Sequence, residues 1–291
     1  MTIWNLGSIN IDNVYRVPHL PKAGETLAAD SFQRGLGGKG ANMSVAAARA
    51  AARVRHIGAI GTDGKWAAER LLEYGVDTRS IKVIDTPTGH ANIAVADDGE
   101  NQIIIHHGAN FEVSSEQTAS ALSEAEAGDF LLLQNETNAQ IEAAQIAQTM
   151  GLTVVYAAAP FETAAVKDLI PHTDMLVLNE VEADQLTTAL GTSLNELPVE
   201  HVIVTKGSEG ADWLDLTKGD KTHVAAIKVD PIDTTGAGDT FTGYLCAGLD
   251  RGQPMLQALE LATKAAALMV TRLGTADVIP DLKELQDARL A

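Results

Sequence analysis

Short apolar runs alternate with helix-like segments along this 291-residue chain. Runs such as DFLLLQ, LTVVYAA, DMLVLN and HVIVT have the length and the aliphatic content of strands that are buried on both faces. The segments between them include GANMSVAAARAAA, NAQIEAAQIAQTMG and EVEADQLTTALG, and Gly151 and Gly191 stand where helices are expected to end. This alternation predicts an α/β fold with a doubly wound, mostly parallel sheet and helices on both faces.

Two segments interrupt the alternation. Residues 11–35 contain prolines and short alternating runs. Residues 88–110 contain HANIAVA and NQIIIHH around the turn DDGE, which is typical of a β-hairpin. We expect the two segments to form one small sheet that projects from the main body. No clear linker divides the sequence, which predicts a single domain over residues 1–291.

Composition restricts the partners and the compartment. The formal net charge of −18 disfavours nucleic acid and anionic lipid surfaces as partners. The single cysteine, Cys246, lies in an apolar stretch, as expected of an inert core thiol in a reducing cytoplasm. The first residues lack the features of a signal peptide, and no apolar run approaches the length of a membrane span. We therefore expect a cytoplasmic protein with small-molecule ligands, no nucleic acid and no membrane association.

The first of two glycine clusters reads RGLGGKGANMSVAAA. The spacing G-x-G-x-x-G from Gly35 to Gly40 matches the dinucleotide fingerprint, and Asp63 follows it. That fingerprint should directly follow the first strand, however, whereas irregular chain intervenes here. A tight turn before a helix is a second interpretation. We favour a third, a ligand pocket lined by backbone, in which Lys39 and Asn42 supply hydrogen-bond donors.

The second glycine cluster, DTTGAGDTF, spans residues 233–241 and lacks the GK[ST] of a Walker A loop. A glycine turn that opens a helix presents bare N–H groups to an anion. The carboxylate of Asp239 is unexpected at such a site. It is either a helix N-cap or, as we favour, a general base that takes a proton from an attacking hydroxyl. The amides that would stabilise the transferred phosphoryl group are those of Gly236, Ala237 and Gly238.

Both clusters resemble those of the ribokinase-like (PfkB) carbohydrate kinases. The shared pieces are GSINID at 7–12, GLGGKGAN, HHGAN, NEVE, DTTGAGDTF and VTRLG at 270–274. The glycine motifs occur in the family order and at family-like spacing, and the resemblance covers nearly the whole chain. Within the family the likeness is greatest to the ribokinases. The resemblance implies the ribokinase-like fold, in which segments 11–35 and 88–110 form a small β-sheet lid over the sugar.

The resemblance also implies roles for individual positions. The sugar would be bound by Asn10, Asp12, Gly37, Gly38, Lys39, Asn42 and Glu136, together with the catalytic Asp239. The nucleotide would be bound by Asn179, Thr205, Lys206, Gly207, Ser208, Glu209, Gly210, Gly238 and Thr263. Glu182 would order Mg²⁺ through water. A monovalent cation, K⁺, would bind beside the anion hole at Asp233, Thr235, Met269, Arg272 and Gly274.

Some positions depart from the family pattern or have a simpler interpretation. Val278 stands where ribokinases tend to offer a hydroxyl to the cation. Tyr244 is bulkier than the usual residue after the start of the catalytic helix, and Thr263 replaces a common asparagine near the adenine. Asn179 and Glu182 also have the spacing of a helix capping box, which needs no metal.

The resemblance implies an ATP-dependent carbohydrate kinase, and most closely one that converts D-ribose to D-ribose 5-phosphate. Another sugar, a sugar acid or a nucleoside is the alternative substrate, because one sequence does not position the hydroxyl contacts that discriminate them. An inactive sugar- or nucleotide-binding module and an NAD-dependent dehydrogenase are rivals of other classes, and the intact Asp239 disfavours the first. ATP and Mg²⁺ are the implied cofactors, with K⁺ in addition, and a homodimer through the lid is the implied assembly.

Overall fold

The predicted strands and helices are present in the computed structural model, which describes residues 1–289. The strands are β1 (Ile3–Leu6), β2 (Asn10–Val17), β3 (Ser31–Gly37), β4 (Val54–Gly61), β5 (Ile81–Ile84), β6 (Gly89–Ala96), β7 (Asn101–His106), β8 (Phe130–Gln134), β9 (Thr153–Ala157), β10 (Met175–Asn179), β11 (His201–Thr205), β12 (Gly210–Asp215) and β13 (Asp220–Ala225). The α-helices are α1 (Lys39–Arg49), α2 (Lys65–Glu73), α3 (Ser115–Leu122), α4 (Gln140–Met150), α5 (Thr163–Leu169), α6 (Glu180–Leu190), α7 (Ala237–Asp250), α8 (Met255–Met269) and α9 (Leu282–Asp287).

The large sheet confirms the predicted fold class. Within the described residues it has nine strands in the order β13-β12-β11-β10-β9-β8-β1-β4-β5. The strands from β11 to β5 along this order are parallel, and β12 and β13 are antiparallel at one edge. Strand β1 lies inside the sheet, with β4 on one side and β8 on the other, so the chain winds in both directions from it. Such a switch point opens a crevice at the carboxyl ends of the strands.

Apolar side chains cover both faces of the large sheet. In β8, Leu132 packs with the residues of α1, α2, α7 and α8, whereas Leu131 and Leu133 pack with those of α3 to α6. Both faces are buried, which explains why the strand sequences are apolar without alternation. Cys246 is buried in the first of these cores, and burial raises the pKa of its thiol to about 12, as expected of an inert core thiol. The bulky Tyr244 is also fully buried there, and its hydroxyl donates to the carbonyl of Pro280 at 2.5 Å.

Two helix ends follow the sequence prediction. Gly151 and Gly191 are the C-caps of α4 and α6, with left-handed φ angles of 76° and 65°. A left-handed φ is accessible to glycine without the steric cost that a Cβ would add. No helix within residues 1–289 combines the length and the apolar character required to cross a bilayer.

The two segments that interrupt the alternation form one four-stranded sheet, as predicted, in the order β3-β2-β6-β7. Its central pair, β2 and β6, is parallel, a pairing that the hairpin patterns did not predict. The register aligns Asp12 with Ala91 and Ala91 with Ile105, so these side chains share one face of the small sheet. Strand β7 forms an edge and is exposed along its length.

Candidate active site

Three predicted site residues and Ser8 meet at one edge of the large sheet. Ser8 follows β1 and Glu136 follows β8, while Asn179 and Thr205 are the last residues of β10 and β11. Asn179 and Thr205 are also register partners. Because these strands are parallel, their carboxyl ends share one edge, which is where ligands bind in open α/β sheets.

The carboxylate of Asp239 is buried at the start of α7. Its side chain is 6% exposed and accepts a hydrogen bond from Nδ2 of Asn42 at 2.9 Å, which ties α7 to α1. The N-cap of α7 is Gly236, with a left-handed φ of 78°, and no side chain caps this helix. The interpretation of Asp239 as a plain N-cap is therefore wrong. The carboxylate is held in place by Asn42, with its second oxygen free of protein donors within the described residues.

The amides at the start of α7 are only partly as predicted. The N–H of Ala237 donates to the carbonyl of Thr234 at 3.2 Å, so it closes the turn. Within the described residues, the N–H groups of Gly236, Gly238 and Asp239 have no protein acceptor. Gly236 is favoured by its left-handed φ, and a Cβ there would lie 3.1 Å from Cε of Met269.

Glu136 joins the end of β8 to the first turn of α1. Its Oε2 accepts the hydroxyl of Ser8 at 2.5 Å and the N–H of Lys39 at 3.0 Å. The Ser8 hydroxyl oxygen in turn accepts the N–H of Gly40 at 3.2 Å. Sequence reasoning overlooked Ser8, although it lies within the motif GSINID.

Lys39 and Glu182 lie close enough to Asp239 for its charge to affect the pKa of both side chains. The negative charge of Asp239, and after it those of Glu136 and Glu182, raises the pKa of the Lys39 ammonium. Burial raises the pKa of Glu182; the charge of Asp239 acts in the same direction and that of Lys39 against it. The predicted base, the predicted metal residue and two predicted sugar residues therefore surround one cleft.

The predicted sugar residue Asp12 lies on β2 and faces this cleft. Burial, followed by the negative charge of Glu136, raises the pKa of its carboxyl to about 7. A Cβ at Gly37 would lie 2.1 Å from Oδ2 of Asp12, so the carboxyl lies over Gly37 and a side chain at this position would displace it. Gly37 ends β3 of the small sheet and Gly38 follows with a positive φ of 93°.

The position of this first glycine cluster excludes the dinucleotide interpretation. The cluster follows a strand of the small sheet, not β1 of the large sheet. Asp63, the fingerprint's acidic partner, accepts hydrogen bonds from the N–H and the hydroxyl of Thr88 at 3.0 and 2.8 Å. Asp63 therefore supports the turn before β6.

Asn10 at the start of β2 is held by a residue that sequence reasoning overlooked. Its Oδ1 accepts Nδ2 of Asn110 at 2.7 Å, and Oδ1 of Asn110 accepts the N–H of Ile9 at 2.9 Å. Both asparagines are buried. Asn110 belongs to the quoted motif HHGAN, and its side chain links the end of the hairpin to β2.

Asn179 and Glu182 form the capping box of α6. Oδ1 of Asn179 accepts the N–H of Glu182, and Oε2 of Glu182 accepts the N–H of Asn179, both at 2.8 Å. The structural interpretation of NEVE is therefore correct. It leaves Oε1 of Glu182 for another partner in the cleft.

The predicted nucleotide segment forms a turn between β11 and β12. Gly207, Ser208 and Glu209 make a short 3-10 turn, and Gly210 begins β12 with a positive φ of 114°. The ammonium of Lys206 pairs with the carboxylate of Asp212 at 3.1 Å. Thr263 is buried on α8, and its hydroxyl has no protein partner within the described residues.

Asp233 connects the two loops of the predicted cation site. Its carboxylate accepts the N–H of Thr235 at 2.9 Å and the N–H of Gly274 at 3.2 Å. The guanidinium of Arg272 donates to the carbonyl of Val278 at 3.1 Å, so its charge is turned toward the C-terminal region. The methyl groups of Val278 lie beside Gly274, 3.4 and 3.8 Å from where a Cβ would be, and offer no oxygen there.

Comparison with known proteins identifies the family. Residues 3–282 match the family described as pfkB family carbohydrate kinase. The chain belongs to this family. A ribokinase of Haemophilus influenzae is 36% identical over 298 residues, covering 97% of this chain and 96% of that protein. A deoxyribokinase of Salmonella typhi is 31% identical over 302 residues, covering 99% of this chain and 98% of that protein.

A solved structure of a pfkB relative has the same fold. The structure of Arabidopsis thaliana ribokinase complexed with ribose and ATP has a TM-score of 0.86 and 29% identity, and covers 98% of this chain and 97% of that one. These comparisons confirm the predicted family, its likeness to the ribokinases and the predicted fold. As a member of this family with ribokinase relatives, the protein is an ATP-dependent carbohydrate kinase.

Proposed function

We propose that this enzyme transfers the γ-phosphoryl group of ATP to the 5-hydroxyl of D-ribose, giving D-ribose 5-phosphate and ADP. The choice of sugar rests on the ribokinase relatives. The observation that carries the chemistry is the buried carboxylate of Asp239, held by Asn42 beside free amides at the start of α7. A base and a set of anion donors at one helix terminus are what phosphoryl transfer to an alcohol requires.

In the proposed reaction, the sugar hydroxyl oxygen attacks the γ-phosphorus, and its proton passes to the free oxygen of Asp239. The bond from phosphorus to the bridging oxygen breaks, and ADP leaves. Donors for the charge on the transferred group are the amides of Gly236, Gly238 and Asp239, which need no rearrangement because they have no protein acceptor. Ala237 is the first residue of α7, and its hydrogen bond to the carbonyl of Thr234 shapes the turn that presents these amides.

The sugar pocket in this proposal lies between the small sheet and the first turn of α1. Acceptors for sugar hydroxyls are the carboxylates of Asp12 and Glu136 and Oδ1 of Asn42, which has no donor within the described residues. Donors are the amide of Asn10 and the ammonium of Lys39. Gly37 and Gly38 leave room for the sugar against the backbone. Carboxylates and amides around a polyol can accept and donate in the alternating pattern that hydroxyls need.

A sugar panel tests the proposal. Purified enzyme with Mg-ATP is offered D-ribose, 2-deoxy-D-ribose, D-fructose, a sugar acid and inosine, and ADP release is followed with each. The largest kcat/KM is expected with D-ribose, and mass spectrometry should locate the phosphate on its 5-oxygen. A higher kcat/KM with 2-deoxyribose would assign the enzyme to the activity named for the Salmonella relative. No turnover with any acceptor would leave only a binding role.

In the proposed complex, the turn from Thr205 to Gly210 binds the nucleotide. Asn179 lies toward the phosphates and Thr263 toward the base. Glu182 would hold Mg²⁺ through water, because its carboxylate is a hard oxygen ligand that faces the cleft of Asp239 and Lys39. Within residues 1–289, no cluster of three or more His, Cys, Asp or Glu side chains forms a direct metal cage. When bound, the ion would neutralise charge on the phosphates.

Glu182→Gln should raise the Mg²⁺ concentration needed for half-maximal rate more than it raises the sugar KM. The amide keeps one hydrogen-bond acceptor for the capping box but loses the charge that attracts a hydrated cation. The measurement is a magnesium titration at saturating sugar. Asp184→Asn is the matched control, since Asp184 lies on the same helix, is exposed and forms no ion pair within the described residues. A change in sugar KM alone would remove Glu182 from the metal site.

The monovalent-cation site is proposed at the two loops that Asp233 connects. The carboxylate of Asp233 and the backbone oxygens near Thr235, Met269, Arg272 and Gly274 are hard donors, which suit K⁺. Bound there, K⁺ would order the loop next to the free amides of α7. Val278 supplies no side-chain oxygen at the position where the resemblance to the ribokinases implies a hydroxyl ligand.

Potassium should therefore stimulate the enzyme, and Asp233→Asn should abolish the stimulation. The removal of the charge weakens cation binding while the amide can still accept the N–H of Thr235 or Gly274. Initial rates are compared in potassium, sodium and tetramethylammonium chloride at equal ionic strength. Equal rates of the parent enzyme in all three salts would mean that the site is lost.

The small sheet is proposed as a lid that also forms a homodimer. Ile103 and Ile105 are 51% and 54% exposed and lie on the same face of the sheet as Asp12. An exposed apolar face on a small sheet favours burial, partly against the bound sugar and partly against a second subunit. A closed lid would exclude water, which would otherwise take the phosphoryl group from ATP.

The double variant Ile103→Asp/Ile105→Asp should dissociate the dimer and raise the ratio of ATP hydrolysis to sugar phosphorylation. Light scattering gives the mass, and paired assays of ADP and sugar phosphate give the ratio. Ile104→Asp is the matched control, because Ile104 is 65% exposed and lies on the opposite face. A one-chain mass for the parent would exclude the dimer, and unchanged coupling in the double variant would exclude the lid.

The remaining assignments concern the whole chain. We assign it to one domain, residues 1–291, in which the small sheet with segments 11–35 and 88–110 is the lid. The net charge of −18 supports the absence of nucleic-acid partners. The one buried cysteine supports a reducing, cytoplasmic compartment.

A further inference from the structure

A chain of buried polar side chains lies beneath the first turn of α1. Its members come from four elements and have no exposed surface: Asn5 on β1, Ser44 on α1, His56 on β4 and Gln134 on β8. We call this set the buried polar chain. Polar groups cost stability in an apolar core unless they are hydrogen-bonded, and every side-chain polar atom of this set except Oε1 of Gln134 has a partner.

Each hydrogen bond of the buried polar chain has a defined direction. Nε2 of Gln134 donates to Oδ1 of Asn5 at 2.8 Å, and Nδ2 of Asn5 donates to Oγ of Ser44 at 2.7 Å. Nε2 of His56 lies 2.9 Å from the carbonyl oxygen of Gly7, which can only accept, so this nitrogen carries the proton. Nδ1 of His56 then accepts the Ser44 hydroxyl at 2.9 Å. Burial lowers the pKa of His56 to about 4, which keeps the ring neutral.

The buried polar chain ends on two backbone carbonyls, those of Gly40 and Gly7. Nδ2 of Asn5 donates its second proton to the carbonyl of Gly40 at 2.7 Å, and His56 holds the carbonyl of Gly7. Gly7 and Gly40 are in close contact, since a Cβ at Gly40 would lie 2.4 Å from Cα of Gly7. The buried polar chain therefore holds both sides of the junction between the end of β1 and the start of α1.

This junction supports the residues assigned to the sugar and to the base. Next to Gly7, the hydroxyl of Ser8 donates to Glu136. Next to Gly40, the N–H of Lys39 donates to Glu136, and the side chain of Asn42, two residues after Gly40, donates to Asp239. A shift of Gly40 would move Lys39 and Asn42 together. None of the side chains of the buried polar chain reaches this cleft itself.

We propose that Asn5, Ser44 and His56 are positioning residues, which hold the first turn of α1 in register with β1 so that Lys39 and Asn42 meet the sugar. The proposal rests on the proposed sugar-kinase function. It predicts that the buried polar chain acts on sugar affinity and turnover and leaves ATP binding unaffected, because the nucleotide site, apart from Gly238 on α7, is built on β10, the turn from β11 to β12, and α8.

The test compares variants of His56 and Asn5. His56→Phe removes both hydrogen bonds of the ring and should lower kcat/KM for the sugar roughly 10- to 100-fold, as misplacement of substrate-positioning groups does. The KM for ATP should not change. Asn5→Leu should behave in the same way. His56→Gln should recover part of the lost kcat/KM, since the glutamine amide can donate to the carbonyl of Gly7 and the phenylalanine ring has no donor.

A stability control and a spectroscopic readout separate positioning from general damage. Leu122→Ala empties a fully buried site in the core on the other face of the sheet and should leave the sugar KM unchanged. In ¹⁵N NMR spectra, His56 should show the Nε2-protonated tautomer. The amide resonances of Lys39 and Gly40 should move in His56→Phe and stay in place in Leu122→Ala.

The outcomes are distinct from those of the function test. An active parent with unchanged sugar kinetics in His56→Phe and Asn5→Leu would overturn the positioning proposal. An equal rise of the sugar KM in Leu122→Ala would do the same, because the effect would then be one of stability. A parent that phosphorylates no sugar would refute the proposed function alone. The amide shifts of Lys39 and Gly40 would still decide whether the buried polar chain positions α1.

Discussion

Asp239→Asn is expected to lower turnover by about 10²–10⁴-fold, the usual range for the loss of a general base. The amide is nearly the same size and can still accept the hydrogen bond of Asn42, so α7 and the pocket should keep their shape. It cannot take up the proton of the sugar hydroxyl. Dissociation constants for sugar and ATP, measured by calorimetry, should therefore stay near those of the parent while kcat falls.

Asp250→Asn is the matched control for this prediction. Asp250 is the last residue of the same helix and is 8% exposed, so the substitution also removes a buried carboxylate from α7. Its turnover should equal that of the parent. Full activity of Asp239→Asn would remove Asp239 from the mechanism, and equal losses in both variants would point to damage of the helix.

Asp12→Asn is expected to weaken sugar binding roughly 10- to 100-fold above neutral pH, since a hydrogen bond to a charged group contributes about 1.5–3 kcal/mol. Burial and Glu136 raise the pKa of Asp12 to about 7, so in the free parent enzyme the carboxyl ionises near neutrality. The sugar KM of the parent should fall as the pH rises through about 7, and that of Asp12→Asn should not depend on pH in this range.

The same pKa predicts an opposite effect on stability. A carboxyl whose pKa is raised to about 7 in the folded state binds a proton there that the unfolded chain releases near pH 3.8. This contribution to stability is complete below the unfolded pKa and is lost as the pH rises through about 7. At about pH 8, Asp12→Asn should therefore be more stable than the parent, by up to a few kcal/mol, and at about pH 5 the gain should be smaller.

Thermal unfolding at the two pH values measures this difference, and sugar titrations on the same samples measure affinity. Asn13→Ala serves as the control, because Asn13 is the next residue of β2 and its side chain lies on the other face of the small sheet. Equal stability of Asp12→Asn and the parent at both pH values would show that burial of the ionised Asp12 carboxylate does not destabilise the folded state.

The fold class followed from the sequence because its signals are local. A strand buried on both faces must be apolar at every position, as Leu131, Leu132 and Leu133 are, and a helix end needs a residue that accepts a positive φ, as Gly151 does. The motif positions were also visible, because a glycine turn at a helix start is a contiguous feature. The parallel pairing of β2 with β6 was not predictable in this way, since it joins segments that are far apart along the chain.

In the candidate site, too, the motifs were visible in the sequence and the contacts between distant segments were not. Asp239 and Asn42 each belong to a recognisable motif, but their contact joins residues 197 positions apart. Ser8 and Asn110 carry no chemical signal as single residues, and only their bonds to Glu136 and Asn10 give them a place in the site. The amide of Ala237 was assigned to the anion by its motif, and the turn geometry instead directs it to Thr234.

By itself, the sequence determined the layered α/β architecture, the family and the chemical groups available for catalysis, because periodicity and motif composition depend on neighbouring residues. The tertiary structure decided which of those groups meet. The raised pKa of Asp12, the charges around Lys39 and the neutral tautomer of His56 all depend on burial and on partners from other elements. Electrostatic and hydrogen-bond energies vary with distance over a few ångströms, and the chain sets such distances only when its distant segments pack together.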